Sequence, residues 1–144
     1  MLSINKLVYQ WPGSTSQQVN LEASAGKIVL ISGPSGIGKS TFFDIISGFH
    51  EPISGSVIFR EENLLEKPPW KRPVSTMFQS NNFFPHLSVE DNLRLSIKKP
   101  PYQIEKIKKK LLYLDILPIV NRKTSKLSGG ELQRTALIKT LLRE

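Results

Sequence analysis

Cysteine is missing from all 144 residues, which excludes a disulfide framework and any thiolate metal centre and fits a reducing compartment. Histidine occurs twice, and His86 reads as a surface loop residue rather than a metal ligand. No apolar run approaches the ~18 residues that would span a bilayer. The first ten residues, MLSINKLVYQ, lack the charged region, apolar run and small-residue cleavage site of a signal peptide. A soluble chain able to sit against a membrane partner is expected. Acidic residues are few, 12 against 20 Lys and Arg, and the net charge is +8. The densest basic run is KKPPYQIEKIKKK, residues 98–110, with Arg122, Lys123 and Lys126 beyond it. Neither an aromatic-interleaved stacking pattern nor zinc-finger spacing accompanies it, so nucleic acid is not the expected partner. The run reads as a solvated helix face. With 39% apolar and 22% charged residues the composition is that of one globular domain.

Neither internal repeats nor low-complexity tracts interrupt the chain. Strands are expected at LSINKLVYQW (2–11), QQVNLEA (17–23), KIVLIS (27–32), GSVIFR (55–60) and VSTMFQ (74–79). The third is continuously apolar, as a strand buried on both faces should be. TFFDIISGF reads as a helix ending near Gly48, and the three prolines of EKPPWKRP (66–73) keep that stretch irregular. SVEDNLRLSI (88–97) opens on Ser88 and Asp91 in a capping-box-like pair. YQIEKIKKKLLYLDIL places Ile104, Ile107, Leu111 and Leu114 at helical spacing with lysines opposite. The order strand, glycine-rich loop, helix predicts an α/β fold.

That loop carries the first chemistry. Gly33, Pro34, Ser35, Gly36, Ile37, Gly38, Lys39 and Ser40, followed by Thr41, satisfy G-x-x-x-x-G-K-[ST] at every fixed position. Glycines let successive backbone N–H groups converge on phosphate oxygens, and the following helix adds its positive N-terminal end. Lys39 is expected on the β and γ phosphates, and Ser40 on Mg²⁺. The pattern points to a nucleoside triphosphate without choosing between ATPase, kinase and GTPase. A guanine-specific N-K-x-D stretch does not occur.

The second motif, LSGGELQR (127–134), lies 88 residues beyond Lys39. By itself, Ser128 with Glu131 is a helix-capping box, and Gly129 and Gly130 leave the first-turn N–H groups uncovered. Together with the phosphate loop it resembles the ATP-binding subunit of ABC transporters, over essentially the whole chain. Trp11 stands where that family has the aromatic residue that stacks on adenine, although an edge-strand aromatic covering core is a common alternative. Gln79 after STMF matches the glutamine that contacts Mg²⁺ or water and senses the transmembrane partner. FFPHLSVEDN (83–92) resembles the stretch that follows it in importers. Within the family, residues 68–93 look like the ATPase subunit of bacterial thiamine importers, with other small-molecule importers left open.

The resemblance implies an α/β P-loop NTPase fold with an N-terminal antiparallel β subdomain and P-loop core (1–84), a helical insert (85–126) and a signature helix (127–144). It implies ATP and Mg²⁺ as cofactors. Ser128, Gly129 and Gly130 would serve ATP held on a second ATPase subunit in a head-to-tail dimer. Transmembrane permease subunits would be the other partners, on the cytoplasmic face of the inner membrane. The sequence departs from the family after Glu144: the strand ending in Asp and the catalytic Glu, with the later histidine switch, are not in it. The chain therefore reads as a truncated ABC-type ATPase lacking the C-terminal part of the core sheet. It is expected to bind ATP through Lys39 and its loop, to hydrolyse it poorly, and to fold poorly alone. A non-catalytic nucleotide-binding or regulatory module is the alternative. A DNA-repair ATPase is disfavoured, since only residues 80–126 separate Gln79 from Leu127, too few for that class's coiled coil.

Overall fold

The computed structural model describes residues 1–78, 82–96 and 102–142, without the side chains of 102–107. Two compact units divide it, Met1–Val74 and Ser75–Glu144.

The first unit is a four-stranded sheet with one helix. Strands β1 (Leu2–Tyr9), β2 (Gln17–Ala23), β3 (Ser54–Phe59) and β4 (Glu62–Asn63) run antiparallel in the order β2-β1-β3-β4. In β1 the buried residues Ile4 and Leu7 are three apart, which strict alternation would place on opposite faces. A bulge between them resolves this. The register shifts there against both β2 and β3, and Lys6 sits at φ 46° with its N–H donating to Asn20 Oδ1 at 2.7 Å. Ile4, Leu7, Tyr9 and Val57 then share one face with Phe42, Ile45 and Ile46 of helix α1 (Lys39–Ser47).

Gly48 ends α1 at φ 89°. Its N–H bonds Ile45 O, and Phe49 N–H bonds Asp44 O at 2.8 Å, closing the last turn in the Schellman manner. Arg72 completes the cap, donating from Nη1 to Ile45 O (2.6 Å) and Ile46 O (3.0 Å) and from Nε to Lys67 O (2.8 Å). Burial holds its guanidinium pKa below the ordinary arginine value. The proline-rich stretch supplies a 3-10 turn, Pro69–Lys71, in place of a regular element, just after another at Leu64–Glu66.

Two expected strands are corrected. Residues 27–32 form no strand, and Ile28 is 99% and Leu30 87% exposed rather than buried on both faces. Residues 74–78 are likewise irregular, and Gln79 lies outside the described residues. A strand exists only through hydrogen bonds to a neighbour. Among the described residues the four strands pair only with one another, and none of them pairs with residues 27–32 or 74–78. Ile31 still packs on the core while Ile28 and Leu30 face outward, so the apolar pattern is present without its ladder. The antiparallel β part and the loop–helix unit of the expected α/β architecture are present.

The second unit is helical: α2 (Val89–Arg94), α3 (Tyr102–Tyr113) and α4 (Gly129–Leu141). Val89, Leu93, Leu111, Ile116, Ile138 and Leu142 form its core. Helix α2 is shorter than the expected 88–97. Ser88 caps it, accepting from Asp91 N–H at 3.0 Å, while its hydroxyl donates to the Asp91 carboxylate at 2.6 Å. Asn92, fully buried, brackets the preceding loop: Oδ1 accepts from Phe84 N–H (2.8 Å) and Nδ2 donates to Phe84 O (3.0 Å) and Ser88 O (2.9 Å). Thr124 Oγ1 donates to the same Phe84 oxygen at 3.0 Å. Every polar atom of that buried amide thus has a partner, which its burial requires.

Candidate functional site

In the first unit the phosphate loop leads into α1 as the pattern predicts. Gly33, Pro34, Ser35, Gly36 and Ile37 are exposed, Gly38 is buried at the N-cap, Lys39 opens the helix, and Ser40 presents its hydroxyl in the first turn, with Thr41 half-buried behind it. The cap has no side chain of its own, so the first-turn N–H groups stay available to an outside acceptor. Lys39 folds back over the loop. Its Nζ donates to Gly33 O at 2.8 Å and Pro34 O at 2.7 Å. An ammonium has three donors, so one remains beyond these two carbonyls.

Trp11 is brought to this loop. Its ring covers Gly38 so closely that a Cβ there would lie 2.3 Å from Cζ3, and Gly38 also has φ 91°. Both facts demand glycine. The indole is half-buried, 6.1 Å from the Tyr9 ring, which is in turn 6.2 Å from Phe42. Trp11 is therefore both a core-covering aromatic and a neighbour of the loop. The donor set fits a polyphosphate: one cation, an open helix end and a glycine-lined backbone. The exposed Ser40 hydroxyl suits a hard divalent cation, which takes oxygen ligands. Among the described residues no group of three or more His, Asp or Glu could hold a metal ion. Gln79, the other expected Mg²⁺ contact, lies outside the described residues.

In the second unit the capping box of α4 forms in full. Ser128 Oγ accepts from Glu131 N–H at 3.4 Å, and Ser128 N–H donates to Glu131 Oε2 at 2.7 Å. Those Ser128 hydrogen bonds hold the Glu131 carboxyl below the ordinary glutamate range, with Arg122 adding a smaller pull from 3.3 Å. A Cβ on Gly129 would meet nothing within 4 Å, and one on Gly130 only Arg134 Nη1 at 3.7 Å. Crowding within the described residues therefore does not call for these two glycines. A cleft of about 670 Å³ in this unit, lined by Met77, Phe78, Phe83, Leu132 and Ala136 among others, runs beside α4.

Four residues that position these parts were not legible beforehand: Arg72, Asn82, Asn92 and Lys139. Asn92 carried the one available signal, an amide amid apolar helix positions. The others act on backbone groups that only folding brings near.

Residues 16–144 match the family described as ABC transporter. The thiamine import ATP-binding protein ThiQ of Haemophilus influenzae is 41% identical over 129 residues, 87% of this chain and 60% of that protein. The spermidine/putrescine import ATP-binding protein PotA of Nitrosomonas europaea is 38% identical over 86% of this chain and 36% of its own length. The chain thus spans about 60% of the length of the thiamine-import relative. A solved ATP-binding cassette of an ABC transporter in its ADP conformation matches with TM-score 0.82 at 25% identity, covering 99% of this chain and 64% of that one. With a family match that runs through both the phosphate loop and the signature helix, the chain belongs to the ABC transporter family.

Proposed function

We propose that the chain is the nucleotide-binding part of an importer, taking ATP with Mg²⁺ at Gly33–Thr41 and coupling it to uptake of a small molecule, thiamine in the first instance. The observation that carries this is the loop itself: Lys39 folded over an open, uncapped helix end with Trp11 against Gly38. Lys39 binds the β and γ phosphates by exchanging its two carbonyl partners for phosphate oxygens. The loop N–H groups and the α1 N-terminus orient the triphosphate. Ser40, with Gln79, holds Mg²⁺, which supplies charge neutralisation at the phosphates. Trp11 stacks on the base. The name of the ThiQ relative supports thiamine.

Ser128, Gly129 and Gly130 serve the nucleotide of a second subunit, head to tail. The open space around a Gly129 Cβ supports this, because glycine there answers to something outside the chain's own packing. Gln79 relays to transmembrane permease subunits on the cytoplasmic side.

The proposal is tested with the Trp70→Phe variant, which leaves Trp11 as the one tryptophan of the two in the sequence. ATP with Mg²⁺ is expected to quench or shift Trp11 emission saturably, and AMP to do so far more weakly. ATP binding that leaves Trp11 emission untouched contradicts the stacking role. A second reading is a nucleotide-binding module without turnover. Steady phosphate release abolished by Lys39→Ala rules it out.

A further inference from the structure

Helix α4 carries the signature at its start, yet its far end also holds something. Lys139, half-buried near the C-terminal end of α4, donates from Nζ to the backbone oxygen of Asn82, 57 residues away in sequence, at 2.5 Å. The same ammonium stands 5.4 Å from the centroid of the Phe83 ring, within cation–π range. Asn82 in turn closes on Phe78: its Oδ1 accepts from Phe78 N–H at 3.1 Å, and its Nδ2 donates to Phe78 O at 2.5 Å. One side-chain amide thus pairs with both backbone polar groups of a residue four positions earlier, on the other side of Gln79. A lysine on α4 grips the backbone of that same asparagine.

We propose that Lys139 is a positioning residue that ties the signature helix to the segment flanking Gln79, so that displacement of one is carried to the other. Its importance for transport rests on the roles proposed for Gln79 and for Ser128–Gly130. The physical reason is the character of the two contacts. A charge-assisted hydrogen bond to a carbonyl is stronger than a neutral one. The Phe83 face fixes the direction from which the ammonium approaches. The next stretch of the loop is anchored separately, because Phe84 N–H and O are held by Asn92 and Thr124 and not by α4. Phe78 and Phe84 therefore report on two different anchors within seven residues of chain.

That difference supplies the test. Amide hydrogen exchange is measured on the 144-residue chain, without nucleotide, for the wild type, Lys139→Met, Lys139→Arg and Asn82→Ala. Lys139→Met is expected to speed exchange at Phe78 by about fivefold or more, the factor set by one hydrogen bond of about 1 kcal/mol. Exchange at Phe84 stays unchanged, and Lys139→Arg restores Phe78. A merely structural role for Lys139 would speed both amides together, and that result overturns the proposal. So does unchanged exchange at Phe78, or failure of arginine to restore it. Asn82→Ala removes the acceptor of the Phe78 N–H directly and so calibrates the full loss of that bond; should Lys139→Met not fold, Lys139→Ala takes its place. It must speed Phe78 and spare Phe84, and any other pattern overturns the clamp. The measurement contains no ATP, so failure of the wild type to bind ATP would overturn the proposed function and leave the clamp standing.

Discussion

Gly38 shows how much one position can carry. Its φ of 91° is costly for any side chain, and the Trp11 ring stands 2.3 Å from where a Cβ would be. Gly38→Ala is expected to lower stability by about 1–3 kcal/mol through the backbone conformation alone, and to displace Trp11. Chemical denaturation followed by tryptophan emission checks both. An unchanged midpoint with unchanged emission would mean that the ring does not sit on the loop. Gly48 is the counterpart at the other end of α1, where a Cβ would lie 2.8 Å from Arg72 Nε. The two glycines bracket one helix between an indole and a guanidinium. The phosphate-loop pattern made Gly38 legible in the sequence. Arg72 was not, because its acceptors, Ile45 O and Ile46 O, lie 27 and 26 residues away and no local pattern encodes such a contact.

At the scale of elements, local chemistry was readable and pairing was not. The α4 cap could be read from Ser128 and Glu131 alone, since every group it needs lies within four residues. Its pH behaviour follows from the depressed Glu131 pKa. A carboxylate lowered in the folded state contributes stability that is complete above the unfolded value, about 4.3 for glutamate. That contribution is lost as pH falls through the folded value. The stability difference between wild type and Glu131→Gln is therefore expected to be flat from neutral pH to about 4.3 and to shrink below it. A difference that shrinks already between pH 7 and 5 would contradict the hydrogen-bonded box. Residues 27–32 show the opposite case. Their apolar run was legible, but a buried strand is a property of its neighbours as much as of its sequence. Without a paired neighbour among the described residues the run stays irregular. The β1 bulge was equally hidden, because only the facing strands reveal that Ile4 and Leu7 share a side.

For the whole molecule, the apolar surface is the main consequence. Ile28 and Leu30 stand 99% and 87% exposed, and Met77 and Phe78 are each near half. Burying an aliphatic side chain contributes about 1.5–3 kcal/mol, so Ile28 and Leu30, the two most exposed apolar residues of the 27–32 run, each forgo a gain of that order. Exposed apolar patches of this kind promote association. The 144-residue chain is expected to bind a hydrophobic dye and to self-associate, and Ile28→Lys with Leu30→Lys should reduce both without lowering the melting temperature. A loss of cooperative melting in that double variant would mean that the run is structural here.

The family and the two chemical motifs were legible because each is contiguous. The side chains that hold the segments around them were not, because they are spread over the fold. Nucleotide binding by the loop is what the proposed function presupposes. Calorimetric titration of ATP with Mg²⁺ into the wild type and into Lys39→Ala tests it most directly. Saturable binding is expected in the wild type, weakened at least tenfold in the variant, or about 1.4 kcal/mol. Equal affinity in the two proteins, or no binding by a folded wild type, would contradict it.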